Sequence, residues 1–332
     1  MIPLLNVRNL RVTFATDGGP VTAVHDVSFT VNPGEVLAIV GESGSGKSVS
    51  LLSVLGLVDR RRTKVEGQAT FRGEPLLDLP ERALRHIRGR DIALISQDPM
   101  TALTPVHRIG DQIVEQIRAH ERVTRHAART RAVALLRDVN IPMPERAVDR
   151  YPHELSGGMR QRAVIAMALS CNPALLVADE PTTALDTTVQ AQVLDMLRRL
   201  SAQHGSSVVL ITHDMGVVAE MATRVAVMYA GRIVETGTVA EVFDDPWHPY
   251  TWGLLDSIPP LTGPRPHRLP SIAGMPPAPG RVEPGCPFAP RCRAAMPICR
   301  LPPPEQVAGS HRALCVLDAA ARAALRPPKV AA

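Results

Sequence analysis

Apolar and polar residues alternate over positions 4–14 and again over 24–31, the period-two pattern of half-buried strands. Residues 36–40 (Val-Leu-Ala-Ile-Val) form instead an unbroken apolar run, as a strand buried on both faces would. A helical pattern over about 47–57 follows it. Further short apolar runs at 92–95, 175–178, 208–212 and 225–229 mostly have helical patterns ahead of them. Alternating strand and helix predicts an α/β fold with parallel strands at its centre. From about 99 to 170 the pattern turns helical and charged, most clearly at 109–120 and 127–139, which predicts a helical subdomain inserted between core strands.

Composition changes the picture mainly at the C-terminal end. Of the 31 prolines 17 lie in 251–332, together with four of the five cysteines, which places a domain boundary near residue 250. The formal charge of +5 also resides there, as ten Lys and Arg against four Asp and Glu. With only 3% aromatic residues to stack on bases, a solvated basic tail is expected and nucleic acid is not expected as a partner. No window approaches the roughly 18 uninterrupted apolar residues of a membrane span. The N-terminus lacks a basic stretch followed by an apolar one, so a cytoplasmic location is expected. No internal repeat is evident, so one catalytic unit is expected.

Residues 41–48 read Gly-Glu-Ser-Gly-Ser-Gly-Lys-Ser, a complete G-x-x-x-x-G-K-S phosphate loop after a strand and before a helix. Gly41, Gly44 and Gly46 permit close backbone approach, so that the amides around Ser43 and Ser45 can close on ATP phosphates. Lys47 can reach the terminal phosphates and the Ser48 hydroxyl can ligate Mg2+. The apolar run at 175–178 ends in Asp179-Glu180, two carboxylates at the C-terminal edge of a sheet, where α/β ligands bind. Asp179 would hold Mg2+ through its water shell and Glu180 would polarise the attacking water; a plain helix-capping role is the alternative for Glu180.

With Leu155-Ser156-Gly157-Gly158-Met159-Arg160-Gln161-Arg162 added, the chain resembles the ATP-binding-cassette ATPases. That segment matches the family's signature, with Ser156 and two glycine amides ahead of a helix expected over 160–170, suited to a γ-phosphate at a helix N-terminus. The resemblance implies a RecA-like parallel-sheet core, an antiparallel β part and a helical subdomain. It also implies a head-to-tail dimer in which Leu155–Met159 meets ATP held by the opposite subunit. Gln97 matches the Q-loop glutamine that senses Mg2+ and the attacking water. Asp186, in Ala184-Leu185-Asp186, matches the D-loop, His213 the switch histidine, and Phe14 the aromatic that stacks on adenine.

Beyond Tyr250 the resemblance narrows. His248-Pro249-Tyr250-Thr251, the segment 254–259 and Pro284-Gly285-Cys286-Pro287-Phe288-Ala289-Pro290-Arg291-Cys292 resemble the C-terminal extension of dipeptide, oligopeptide and nickel importer ATPases. The implied partners are two membrane permeases, a second ATPase (paralogous or a second copy) and an extracytoplasmic peptide-binding protein, which together place the chain on the cytoplasmic face of the membrane. Peptide import is the expected function; nickel import, and a soluble cassette acting on nucleic acid or the ribosome, are the alternatives. Cys286, Cys292, Cys299 and Cys315 depart from the C-x2-C spacing of common zinc sites. Four clustered thiolates suit a [4Fe–4S] cluster or structural zinc, or remain reduced thiols; the resemblance favours the cluster. Cys171 is expected to be a small buried hydrophobe in the signature helix.

Overall fold

The computed structural model describes residues 2–183, 185–258, 271–278, 280 and 284–326. Ala184 of the expected D-loop and Pro259 of the 254–259 segment lie outside the described residues. The chain divides into two units: Met1–Leu4, Val31–Val36 and Asp78–Ile211 form the first, and Leu5–Thr30, Leu37–Leu77 and Thr212–Ala332 the second.

In the first unit, strands Ile92–Ile95, Leu175–Asp179 and Ser207–Thr212 pair in parallel, with Ile92 opposite Leu175 and Leu175 opposite Ser207. Every residue of the middle strand is buried, which is why its sequence is apolar throughout rather than alternating. Helix Ile109–His120 buries Ile109, Ile113, Val114 and Ile117, one stripe at helical spacing. Helix Arg125–Asp138 begins where the Thr124 side chain accepts from the Ala127 amide and buries Ala128, Ala132, Leu135 and Leu136. Helix Thr187–His204 ends at Gly205, whose φ of 67° supplies the left-handed turn that closes it.

The second unit carries two sheets. One is four-stranded, in the order Gly19–Val31, Leu5–Thr16, Thr63–Phe71, Glu74–Pro75. In the other, Glu305–Ala308, His311–Leu314, Arg232–Thr238, Arg224–Tyr229 and Val36–Val40 lie side by side. Val36–Val40 runs parallel to Arg224–Tyr229, and the remaining pairs are antiparallel. Residues from beyond position 300 thus extend a sheet begun at Val36. Ala38, Val40, Val225, Val227, Tyr229, Tyr250 and Phe288 share its core.

One buried carboxylate ties that C-terminal part in place. Glu235 accepts from the amides of Trp247 (2.6 Å) and His248 (2.9 Å), from the Thr251 hydroxyl (2.5 Å), and lies 2.8 Å from His311 Nε2. Burial makes such a network costly to break, because each donor would otherwise be stranded away from water.

Candidate functional site

The phosphate loop belongs to the second unit and is shaped by its glycines. A Cβ on Gly41 would sit 2.1 Å from the Met228 carbonyl oxygen, so no other residue fits there without backbone movement. Gly44, at φ 78°, has open space around it, and its requirement is conformational. Gly46, at φ 100°, opens helix Lys47–Val54 with no side-chain cap, leaving amides of the first turn for an anion. Lys47 is buried and donates from Nζ to the carbonyls of Gly41 (2.7 Å) and Glu42 (3.0 Å), so its charge is already folded over the loop. Ser43 and Ser45 lie in the loop and Ser48 in the first turn of that helix; the Ser45 hydroxyl is buried with no hydrogen-bond partner among the described residues. Phe14 is half-buried on the four-stranded sheet, opposite Thr63. His213 is exposed immediately after strand Ser207–Thr212, and Asp214 caps the next helix by accepting from Gly216 and Val217.

The carboxylates belong to the first unit. Asp179 ends a fully buried strand and is itself buried. Glu180 follows at φ 46°, a left-handed conformation unusual for a residue with a side chain. Its amide donates to Ile211 O (2.9 Å), and its carboxylate accepts from Thr183 Oγ1 (2.8 Å) and Gln97 Nε2 (3.3 Å). Two residues 83 positions apart in the chain, both singled out from sequence, are therefore in direct contact.

The signature differs from expectation at its helix start. The helix runs Gly157–Leu169 rather than from Arg160, with Ser156 as N-cap accepting from the Met159 amide at 3.3 Å. Gly157 and Gly158 are therefore its first turn and not a loop before it. Ser156 and Gly157 are exposed, Met159 is half-exposed, and Leu155 is buried as the anchor. Asp186 caps helix Thr187–His204, accepting from Val189 at 3.0 Å. Cys171 lies just past the signature helix, half-buried, with burial pushing its thiol pKa up.

In the second unit Cys286, Cys292, Cys299 and Cys315 line one small cavity of about 10 Å3, with His248, Pro249, Phe288, Ala294 and Leu317 among its other walls. Burial pushes the thiol pKa of Cys286, Cys292 and Cys315 up, that of Cys292 to about 11, and backbone amides of Phe288, Ala294 and Leu317 that donate to them pull the other way. The Met296 amide donates to Cys299 Sγ at 3.4 Å. Among the described residues no three His, Cys, Asp or Glu side chains are grouped tightly enough to hold a metal ion. Nδ1 of His248 accepts from the Tyr250 amide at 3.1 Å, and its buried Nε2 has no partner among the described residues. Burial lowers its pKa to about 3, so the ring is neutral and its proton resides on Nε2.

Two family models match the chain: "ABC transporter" over residues 24–183 and "Oligopeptide/dipeptide transporter, C-terminal region" over 234–299. A putative peptide import ATP-binding protein of Brucella abortus is 52% identical over 302 residues, 91% of each chain. An oligopeptide transport ATP-binding protein of Mycobacterium tuberculosis is 52% identical over 319 residues, 95% of this chain and 52% of that one, so the chain spans about half the length of this relative. Among solved structures, an ATP-binding cassette captured as a dimer after hydrolysis, with ADP and phosphate bound, is similar at a TM-score of 0.64 and 28% identity, covering 71% of this chain and 98% of that one. An ABC transporter subunit from Clostridium perfringens gives a TM-score of 0.62 at 26% identity, covering 74% and 92%.

Proposed function

The chain belongs to the ATP-binding-cassette transporter family, and we propose that it is the ATP-hydrolysing subunit of a peptide importer. The observation that carries this reading is the joint presence of a complete phosphate loop and the match of 234–299 to the C-terminal region of oligopeptide and dipeptide transporters. Residues 1–250 serve as the ATPase domain, with 99–170 as its helical subdomain, and 251–332 as the extension. No helix among the described residues is long and apolar enough to cross a membrane. In this reading the subunit works on the cytoplasmic face through two permeases, with a second ATPase and an extracytoplasmic peptide-binding protein.

Hydrolysis is then largely positioning and electrostatics. Lys47 and the loop amides at 43–48 hold the β- and γ-phosphates, and Phe14 stacks on adenine. Glu180, aligned by Gln97 and Thr183, orients water, and His213 contacts the γ-phosphate. Ser156 with the amides of Gly157 and Gly158 engages ATP on the second cassette, and Asp186 lines the dimer contact. The hydroxyl of Ser48, the amide oxygen of Gln97 and the carboxylate of Asp179 are the hard oxygen donors that suit Mg2+. When bound, that ion would neutralise charge developing on the phosphates. Glu180→Gln is expected to lower ATP turnover roughly 10²–10⁴-fold with ATP binding retained. Turnover in the complex reconstituted in liposomes measures it, and uptake of labelled peptide by the same vesicles tests import; uptake of nickel and not of peptide would replace the cargo.

We propose that the four cysteines hold a [4Fe–4S] cluster. Supporting this, they line one cavity, amides donate to their sulfurs, and the His248 Nε2, without a partner among the described residues, supplies a donor that a sulfur-rich anion would satisfy. Such a centre would cross-link a proline-rich segment with little core of its own. Anaerobic protein with iron and sulfide near four per chain supports this; zinc, or colourless protein without metal, overturns it.

A further inference from the structure

Glu42, the second residue of the phosphate loop, is pinned from three sides. Its amide donates to the Tyr250 hydroxyl at 2.8 Å and its carbonyl accepts from Lys47 Nζ at 3.0 Å. Its carboxylate takes both terminal nitrogens of Arg291, at 2.5 and 2.9 Å. Arg291 stands next to Cys292 in the chain, and its side chain is 5% exposed against 27% for Glu42. It also donates from Nε to Ala273 O (2.9 Å) and from Nη1 to the Tyr229 hydroxyl (3.3 Å), so the guanidinium is fixed before it meets the carboxylate. A two-pronged pair this well buried is set in geometry as well as in charge.

The electrostatic consequence concerns the ligand. A loop built to surround a polyphosphate carries a carboxylate within it, and an uncompensated negative charge there would repel the nucleotide. We propose that Arg291 is a positioning residue of the nucleotide site: by neutralising and fixing Glu42 it lets the phosphate loop accept ATP, and it makes nucleotide affinity depend on the cysteine-bearing segment that carries it. This rests on residues 41–48 being the ATP phosphate loop.

The test is equilibrium binding of fluorescent ATP and ADP analogues to the full chain, at low and high salt. R291Q leaves Glu42 unneutralised, and roughly a tenfold loss of ATP affinity is expected, smaller for ADP and shrinking as salt screens the repulsion. The double variant E42Q/R291Q removes the repelling charge and returns affinity to within about twofold of E42Q alone. R291K, which keeps the charge and loses the fork, falls between wild type and R291Q. Wild-type binding by R291Q, or a double variant as weak as R291Q, overturns the proposal. A melting curve on each variant separates loss of fold from loss of affinity, and the rescue by E42Q is a result that simple unfolding cannot produce. Wild-type protein that binds neither analogue overturns the phosphate-loop reading itself, a result distinct from any variant-specific outcome.

Discussion

The phosphate loop and the four-cysteine cavity lie in the same unit of the chain, and they are made in opposite ways. The loop is a backbone device, in which eight consecutive residues present amides and the glycines are there because a Cβ would collide or the turn needs a left-handed φ. The cavity is a side-chain device, with largely apolar walls gathered from His248 to Leu317 across a stretch rich in proline. A backbone site is written contiguously and tolerates almost no change of residue at its tightest point. A side-chain site is written discontinuously, and its integrity depends on whatever holds the distant segments together.

The largest effect should come from the tightest point of the loop. Gly41→Ala drives a methyl group to 2.1 Å from the Met228 carbonyl oxygen, a backbone atom that cannot swing aside. The loop must shift by a substantial part of an ångström, and an error of that size costs on the order of 100-fold in a positioned site. Loss of ATP-analogue binding by at least that factor, with secondary structure retained by circular dichroism, is the expected result. Near-normal binding would mean that the loop is softer than its packing against Met228 implies.

That difference in construction also decides what could be read in the chain. The loop, the Asp179-Glu180 pair and Gln97 were legible because each is local and follows a strand whose apolar run is visible; helix Ile109–His120 was legible through its buried stripe. The signature helix start was misplaced because Gly-Gly reads as loop, while in the structure the Ser156 cap and burial of Leu155 begin the helix at Gly157. Strand Thr63–Phe71 was not legible: it carries Lys64, Glu66 and Gly67, and it owes its place to pairing with Leu5–Thr16, where a Cβ on Gly67 would meet Asn9 O at 2.5 Å. Least legible were contacts between residues far apart in sequence. Glu42 and Arg291 are 249 positions apart, and Glu235 and His311 are 76 apart. His248 and Arg291 did fall inside segments whose composition stood out, so the signal marked the neighbourhood without disclosing the partner.

The cavity's dependence on remote ties gives the next effect. Glu235→Ala would strand the amides of Trp247 and His248 and the Thr251 hydroxyl, and would release His311 from its 2.8 Å contact. Leaving a buried donor without its acceptor costs about 1–3 kcal/mol. Thermal unfolding should report this directly. If the four cysteines hold a cluster, its iron should be lost on mild heating well before that of wild type. Wild-type melting would show that the C-terminal strands are held by something other than this carboxylate.

The smallest effect returns to the loop. Gly44→Ala places its methyl group where no atom of the described residues lies within 4 Å, so nothing among them collides and the penalty is the left-handed φ of 78°. That strain costs about 1–2 kcal/mol for a residue with a Cβ, which corresponds to roughly a 5–30-fold loss of ATP affinity if it falls entirely on the bound conformation. Set beside Gly41→Ala, the variant separates two reasons for the same residue type: steric exclusion at one position and backbone conformation at the other. Should the two variants bind ATP equally poorly, the loop would be acting as one conformational unit whose left-handed turn matters as much as its contact with Met228. A clear gap between them would instead assign the loop's rigidity to that single close approach, in keeping with a site whose shape is set by backbone packing.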